Sequence, residues 1–584
     1  MIEPAAWTTI GAASSSVFSV DGQTIFHLRG PGLPQVWSMH RDGSGAVQLT
    51  SQDENATKLR RAPNDDRLLW QIDAGGDERQ QIWLLEPGGT PRALTAELGA
   101  SHEIGAFSPD GAHLAYVAND RDPAYFDVLV MELHTGVRRR ILEGAGSRAV
   151  TSWSGTRLVV IEDRSSSDQD LHIVDAGSGA MHAVPRIGLA RYTAARFTKD
   201  GKHLMAITDQ GADFMRLCRI DAATGALEPV HVPVGRDVEA WALSPDGTLL
   251  ATIENDRGYG VLRVGPADGV RDIVTGLPEG VVGDLAWSPD SRMLAVTAEG
   301  PTSPPGLYAW EGSTVRPLSQ PEPFDATLAG FALVSWPGLD GISIPGWLGL
   351  PYGPAPAAGF PAIVWVHGGP AAQTRAKFRS DMQMLLAQGY AVLMPNVRGS
   401  TGYGRIWMEA DDLEGRHVAV DDLTAARHWL TSHPGIDPAR IGIMGQSYGG
   451  WMVLAAITRH PALWRAAVDY YGIADWFTLL RDTGPWRRRH RALEYGIPGQ
   501  HDAVLREFSP IHGVGAVTAP LLVAHGDRDP RVPMGESEQL VTAMELHQKN
   551  VRYERFTYAG HGFIRPEHTS RIYAAVAEHF RQYL

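Results

Sequence analysis

Phe107-Ser108-Pro109-Asp110-Gly111 runs into His113-Leu114-Ala115-Tyr116-Val117, a tight turn that feeds an alternating apolar strand. Asp-Gly supplies the turn, and the alternation marks a half-buried strand. The pattern returns as Leu243-Ser244-Pro245-Asp246-Gly247 and Trp287-Ser288-Pro289-Asp290. It is weaker at Phe18-Ser19-Val20-Asp21-Gly22 and Phe197-Thr198-Lys199-Asp200-Gly201, and degenerate at Ala62-Pro63-Asn64-Asp65 and Trp153-Ser154-Gly155. Anchored at positions 19, 62, 108, 154, 198, 244 and 288, successive copies lie 43 to 46 residues apart. That period suits a four-stranded antiparallel blade, and seven blades in a ring leave few free edges. Residues 1–322 are therefore expected to form a seven-bladed β-propeller.

Past about residue 320 the texture changes. Strand-like stretches at 362–366, 390–394, 441–444, 521–524 and 552–556 alternate with helix-like ones at 378–388, 420–432, 449–459, 535–548 and 571–583. Such alternation implies a doubly wound, mostly parallel sheet covered on both faces. The second domain is expected over 323–584, with the Pro-rich run 301–323 as the hinge.

Composition narrows the partners. The chain has 584 residues, 43% of them hydrophobic and 20% charged, which is the balance of a globular protein. Lys and Arg total 52 against 66 Asp and Glu, and a net charge of −14 repels a phosphate backbone, so nucleic acid is not an expected partner. Cys218 is the only cysteine, which excludes an internal disulfide and Cys-clustered metal sites and suits a reducing cytoplasm. No Lys or Arg precedes Arg29, unlike a secretory leader. The longest uncharged stretch, 341–374, carries six prolines that would break a membrane helix. The expectation is a cytoplasmic protein with no membrane partner; self-association is left open.

Gly445-Gln446-Ser447-Tyr448-Gly449 follows the strand at 441–444 and opens an apolar helix. This is the context a nucleophile elbow needs, because flanking glycines admit the cramped turn that lifts a serine above the sheet edge. A serine hydroxyl needs a base within reach and a carboxylate to orient that base. His525-Gly526-Asp527-Arg528-Asp529-Pro530-Arg531-Val532-Pro533 follows the strand at 521–524, and Gly560-His561-Gly562 follows the last strand. Asp529 is assigned as the acid and His561 as the base, with Asp527 as the competing carboxylate and His525 as a brace for the loop. The oxyanion donors are assigned to the N–H groups of Tyr448 and of Gly369 in His367-Gly368-Gly369-Pro370, with Gly368 in reserve.

These residues, with Asn396-Val397-Arg398-Gly399-Ser400-Thr401-Gly402-Tyr403-Gly404 and Gly560-His561-Gly562-Phe563, resemble the prolyl oligopeptidase family of serine peptidases, within it the acylaminoacyl peptidase and bacterial oligopeptidase-aminopeptidase branch. The resemblance covers nearly the whole chain. It implies a C-terminal α/β-hydrolase domain, places the acid at Asp529 rather than Asp527, and gives Arg531 a substrate carbonyl to hold. It also locates a specificity pocket after the elbow, where Trp476, Phe477, Leu480 and Trp486 could line it. Phe477 and Leu480 at i, i+3 equally suit a helix core face.

Glu78, in Gly75-Gly76-Asp77-Glu78, is a blade-loop carboxylate able to hold a free amino terminus. The cluster Arg487-Arg488-Arg489-His490-Arg491 reads either as a solvated face or as an anion site for a peptide carboxylate. Two departures from the family stand out. No helical extension is evident before the first blade, and no adjacent Glu-Glu pair exists to favour dipeptide release.

The expected function is hydrolysis of short peptides or acyl-peptides through an acyl-enzyme, with the propeller restricting access and no metal or organic cofactor. Alternatives are a small-molecule amidase or esterase on the same scaffold, and a binding platform with a vestigial hydrolase.

Overall fold

The computed structural model describes residues 3–8, 10–30, 32–319 and 327–584. Seven four-stranded antiparallel sheets follow one another in chain order, from Ala12–Phe18 in the first to Thr314–Pro317 in the last. The Ser-x-Asp turns repeat one hydrogen-bond scheme. Ser108 Oγ donates to Asp110 Oδ1 at 2.5 Å and accepts from His113 N at 2.9 Å. Ser244, Ser288 and Ser19 do the same with Asp246, Asp290 and Asp21. Where the copy beginning at Trp287 lacks the glycine, Ser291 takes the left-handed conformation itself, φ +60°.

The first strand of every blade carries a register irregularity in its middle, which the repeat did not announce. A bulge adds local twist and lets neighbouring blades crowd a common axis. Among the described residues no strand is shared between the first and last blades, and side chains cross their seam. Arg41 meets Asp290 at 2.7 Å, and Asp284 accepts from Ser15 N at 2.9 Å.

The Pro-rich run is not a hinge over its described part. Ser303–Glu311 and Thr314–Pro317 are the last two strands of blade seven. Pro304 and Pro305 fall where the pairing slips between Ala298 and Gly300, a place where a missing N–H costs nothing. The expected boundary at 322/323 lies outside the described residues.

The second half is built on one eight-stranded sheet. Its strands are β1 (Phe331–Pro337), β2 (Ser343–Gly349), β3 (Phe360–Val366), β4 (Ala391–Pro395), β5 (Ile436–Gln446), β6 (Ala467–Tyr470), β7 (Leu521–Gly526) and β8 (Val551–Phe556), in the spatial order β1-β2-β4-β3-β5-β6-β7-β8. From β4 onward across the sheet all pairings are parallel. Helices α1 (Ser380–Ala387), α2 (His417–Thr431), α3 (Tyr448–Arg459), α4 (Trp476–Asp482), α5 (Pro485–His490), α6 (Gly535–Leu546) and α7 (Pro566–Tyr583) cover it, with an apolar core on each face. The described residues before the first blade hold a short 3-10 turn, Pro4–Thr8, whose Trp7 is buried in the hydrolase core with Met382 and Tyr573. Among the described residues no helix is long and apolar enough to cross a membrane.

Candidate active site

Ser447 stands at the turn from β5 into α3 with φ +59° and ψ −122°. A serine is held there because everything around it is over-determined. A Cβ on Gly445 would come within 2.4 Å of Gly449 O, and one on Gly449 within 2.3 Å of Val366 O. Ser447 N donates to Tyr470 O at 2.9 Å, tying the elbow to the end of β6.

Asp529 lies in the loop after β7 and His561 in the loop after β8. His561 Nδ1 faces Asp529 Oδ2 at 2.6 Å, which leaves Nε2 as the basic nitrogen. The other carboxylate oxygen accepts the N–H groups of Arg531 at 2.8 Å and Val532 at 3.0 Å. Burial alone would raise the Asp529 carboxyl; the charge of His561 and hydrogen bonds with His525 and His561 outweigh it and hold the group well below the carboxylate range. Asp527 instead accepts Tyr558 N at 2.7 Å, a structural bond within the His561 loop. His525 is fully buried, donates to Val532 O at 2.7 Å and accepts from Ser537 Oγ at 2.7 Å, so it braces the Asp529 loop from below.

Tyr471, just past β6, joins the two pieces. Its ring centroid is 4.5 Å from that of His561, and its hydroxyl reaches Gln446 Oε1, next to Ser447, at 3.4 Å. Ser447 Oγ and His561 Nε2 are not hydrogen-bonded to each other or to any other group among the described residues.

The oxyanion side is equally cramped. A Cβ on Gly368 would meet Gln446 O at 2.9 Å and Ser447 Cβ at 3.1 Å, and Gly369 lines the cavity that Ser447 opens into. The Tyr448 N–H has no hydrogen-bond partner among the described residues and stands at the first turn of α3. His367 carries the loop: buried, its imidazole is held down at about 4, with Nδ1 donating to Gly368 O and Nε2 lying 2.9 Å from Ser400 Oγ, which also donates to Val397 O at 2.6 Å. Behind the elbow, the Tyr448 hydroxyl donates to buried Asp411 at 2.8 Å. Burial, with Glu494 nearby, pushes the Asp411 carboxyl up to about 8.

The cavity beside Ser447 is lined by Ile473, Leu479, Leu480, Tyr495 and Val532, with Arg487, Arg491 and Arg531 at its edge. Of the four expected pocket residues only Leu480 is there. Trp476 is in the core, its indole N–H committed to Phe508 O at 2.9 Å. Phe477 packs on that core under Arg506, and Trp486 packs edge-on against Phe126 of blade three. The i, i+3 core reading of Phe477 was the better one for that residue. Tyr495 and Val532 were missed because they arrive from distant loops with no sequence periodicity to flag them.

Glu78, with φ +58°, reaches this edge from blade two and takes charge-assisted bonds from both Arg531 and Arg487. The same blade loop backs the His561 loop: a Cβ on Gly560 would fall 1.8 Å from Gly76 O. The arginine cluster on α5 is largely spent, since Arg487 pairs with Glu78, Arg491 with Glu494 at 3.0 Å, and Arg488 bonds Arg481 O. Glu97, His102 and Asp120 could offer ligand atoms within 4.8 Å of one another, but Arg138 and Arg140 already occupy the two carboxylates.

Residues 376–584 match the model of the prolyl oligopeptidase family. A dipeptidyl aminopeptidase BIII of Pseudoxanthomonas mexicana is 28% identical over 94% of this chain and 83% of its own length. The human acylamino-acid-releasing enzyme is 28% identical over 39% of this chain, spanning 32% of the relative. A puromycin-hydrolyzing peptidase of Mycobacterium tuberculosis superposes with a TM-score of 0.88 at 21% identity, covering 100% of this chain and 96% of that one. For the Pyrococcus horikoshii acylaminoacyl peptidase the score is 0.77 at 18% identity, covering 100% and 97%. The propeller-and-hydrolase architecture and the matched catalytic half lead to one conclusion: residues 376–584 are a serine peptidase domain of the prolyl oligopeptidase family.

Proposed function

We propose that the chain hydrolyses short peptides through an acyl-enzyme on Ser447, with His561 as base, Asp529 as its orienting acid and the N–H groups of Tyr448 and Gly369 as oxyanion donors. The observation that carries this reading is the 2.6 Å His561–Asp529 contact at the same sheet edge as a serine in a strained elbow. In the step proposed, His561 Nε2 takes the Ser447 proton as Oγ attacks the carbonyl carbon, then returns it to the leaving amine. The Ser447–His561 hydrogen bond closes when substrate fills the cavity, as catalytic bonds in empty sites commonly do. Leu480 and its apolar neighbours receive the side chain preceding the scissile bond, and Arg531 holds a substrate carbonyl.

The mode we favour is aminopeptidase, because Glu78 brings a propeller carboxylate to the edge of the same cavity and the relative matched over most of the chain is a dipeptidyl aminopeptidase. An incoming ammonium group shares Glu78 with its two arginines. The lone, buried Cys218 suits a cytoplasmic setting.

A panel of free-amino peptides, N-acylated peptides and simple esters tests the reading. Free-amino peptides are expected to be cleaved with the highest kcat/KM, and Glu78→Gln to raise KM for them more than for acylated ones. Robust ester turnover with no peptide cleavage would contradict it.

A further inference from the structure

The α5 arginines are largely paired, and a second group of arginines gathers elsewhere. The central opening of the propeller has a mouth on the side of the Ser-x-Asp turns, away from the hydrolase. Its wall comes from the first strands of blades one, two, five and seven and from Pro245 of blade six. Three arginines, Arg60, Arg61 and Arg196, line this cavity against one carboxylate, Asp284.

One oxygen of that carboxylate, Oδ2, accepts from Ser15 N at 2.9 Å and Thr297 Oγ1 at 3.2 Å, and its charge is felt by Arg60. Arg61 bonds the carbonyls of Ala62 and Asp65 and has Asp65 and Asp66 nearby. Arg60 makes one bond, to its neighbour Leu59 O at 3.1 Å. Arg196 makes none among the described residues and rests over the Trp241 ring at 5.5 Å. Both side chains remain accessible inside the opening. Arg60 and Arg196 face one cavity against the single carboxylate of Asp284, and the positive charge left over, in a chain of net charge −14, is relieved by an anion with a planar pair of oxygens.

We infer that Arg60 and Arg196 form a carboxylate-binding site at the outer mouth of the propeller, which holds the free C-terminal carboxylate of a peptide. The choice of a peptide as the source rests on the peptidase reading above; the carboxylate chemistry does not. The first strands are 5 to 8 residues long, so at about 3.3 Å per residue the mouth lies on the order of 20 Å from the hydrolase-facing end of the opening. It is thus a separate station from the Ser447 cavity.

The test is calorimetric binding to the full chain carrying Ser447→Ala, using one hexapeptide as the free acid and as its C-terminal amide, with sodium sulfate as a third titrant. The acid is expected to bind about tenfold more tightly than the amide. Adding Arg60→Ala and Arg196→Ala should bring that ratio to about one; if the alanine protein does not fold by circular dichroism, Arg60→Gln with Arg196→Gln serves instead. Equal binding of acid and amide, or a ratio that survives loss of both arginines, overturns the site. Sulfate binding as tightly as the acid overturns the peptide assignment. Loss of peptidase turnover in the wild-type panel with the ratio intact sinks only the catalytic reading, so the two failures are distinguishable.

Discussion

A turn of blade five and the hydrolase sheet edge carry the same three kinds of group, and only one of them leaves its hydroxyl without a partner among the described residues. In the turn, Thr198 Oγ1 donates to Asp200 Oδ1 at 2.6 Å while His203 Nδ1 faces Asp200 Oδ2 at 2.8 Å. At the sheet edge His561 Nδ1 faces Asp529 Oδ2 at 2.6 Å. The hydroxyl makes the difference: Thr198 is bound to the carboxylate itself, whereas the Ser447 hydroxyl is left uncommitted. Burial adds to it, since the Asp200 side chain is 41% exposed and that of Asp529 is 0% exposed. The turn's three residues lie within six positions of chain, while Ser447, Asp529 and His561 come from three separate strand ends. Local clusters of Ser or Thr with Asp fold the propeller; a reactive cluster needs a sheet to bring distant loops together.

The comparison can be broken at its strongest point first. Asp529→Asn should lower kcat by about four orders of magnitude by stranding His561 in the wrong tautomer. Asp527→Asn, which touches only the loop backbone, should leave kcat within about tenfold, measured on the same peptide. Comparable losses in both variants would remove the distinction between the two carboxylates.

Asp411→Asn sharpens the comparison through pH. The carboxyl stands at about 8 in the folded chain against 3.8 unfolded, so the folded state holds a proton that the unfolded state releases. Stability is therefore present below the unfolded value and drains away as pH rises from about 4 towards 8. Asp412, Glu494, Arg416 and the Tyr448 hydroxyl face the same group, and Asp412 is also pushed up, to about 7, by burial and then by Glu494. The variant should lose the part of that slope due to Asp411, on the order of a few kcal/mol across the window, in denaturant titrations at successive pH values.

Gly560→Ala tests whether one propeller loop belongs to the active site. The added methyl must displace Gly76 or the His561 loop, and a shift of about 1 Å in the base costs about 100-fold in kcat with little change in secondary structure. At the small end, Asp110→Ala removes a turn bond that other blades repeat. Its expected cost is about 1 kcal/mol of stability with kcat unchanged.

What was legible in the sequence follows the same division. The propeller could be counted because one local turn recurs, and local hydrogen bonds need only local residues. The bulges at the ring axis were invisible, since they answer to crowding between blades. Pro304 and Pro305 misled the reading because a proline beside a register slip looks, in sequence, like one in a linker. Ser447, Asp529 and His561 were readable as motifs on strand ends. The cavity wall was less so: Tyr495 and Val532 reach it from separate loops, and Trp476, apolar and suitably placed in the chain, went to the core because its indole N–H has a partner there. His367 was read only as part of a glycine-rich motif, and its pairing with Ser400 emerges from two loops that meet in space.

The central claim is that one hydroxyl, on Ser447, is made nucleophilic by His561. Labelling with a fluorophosphonate, followed by peptide mapping in a mass spectrometer, tests it most directly. The account predicts a single adduct on Ser447 that forms in the native protein and fails to form in His561→Ala. An adduct on another serine, or one on Ser447 that forms equally fast without the imidazole, would contradict it.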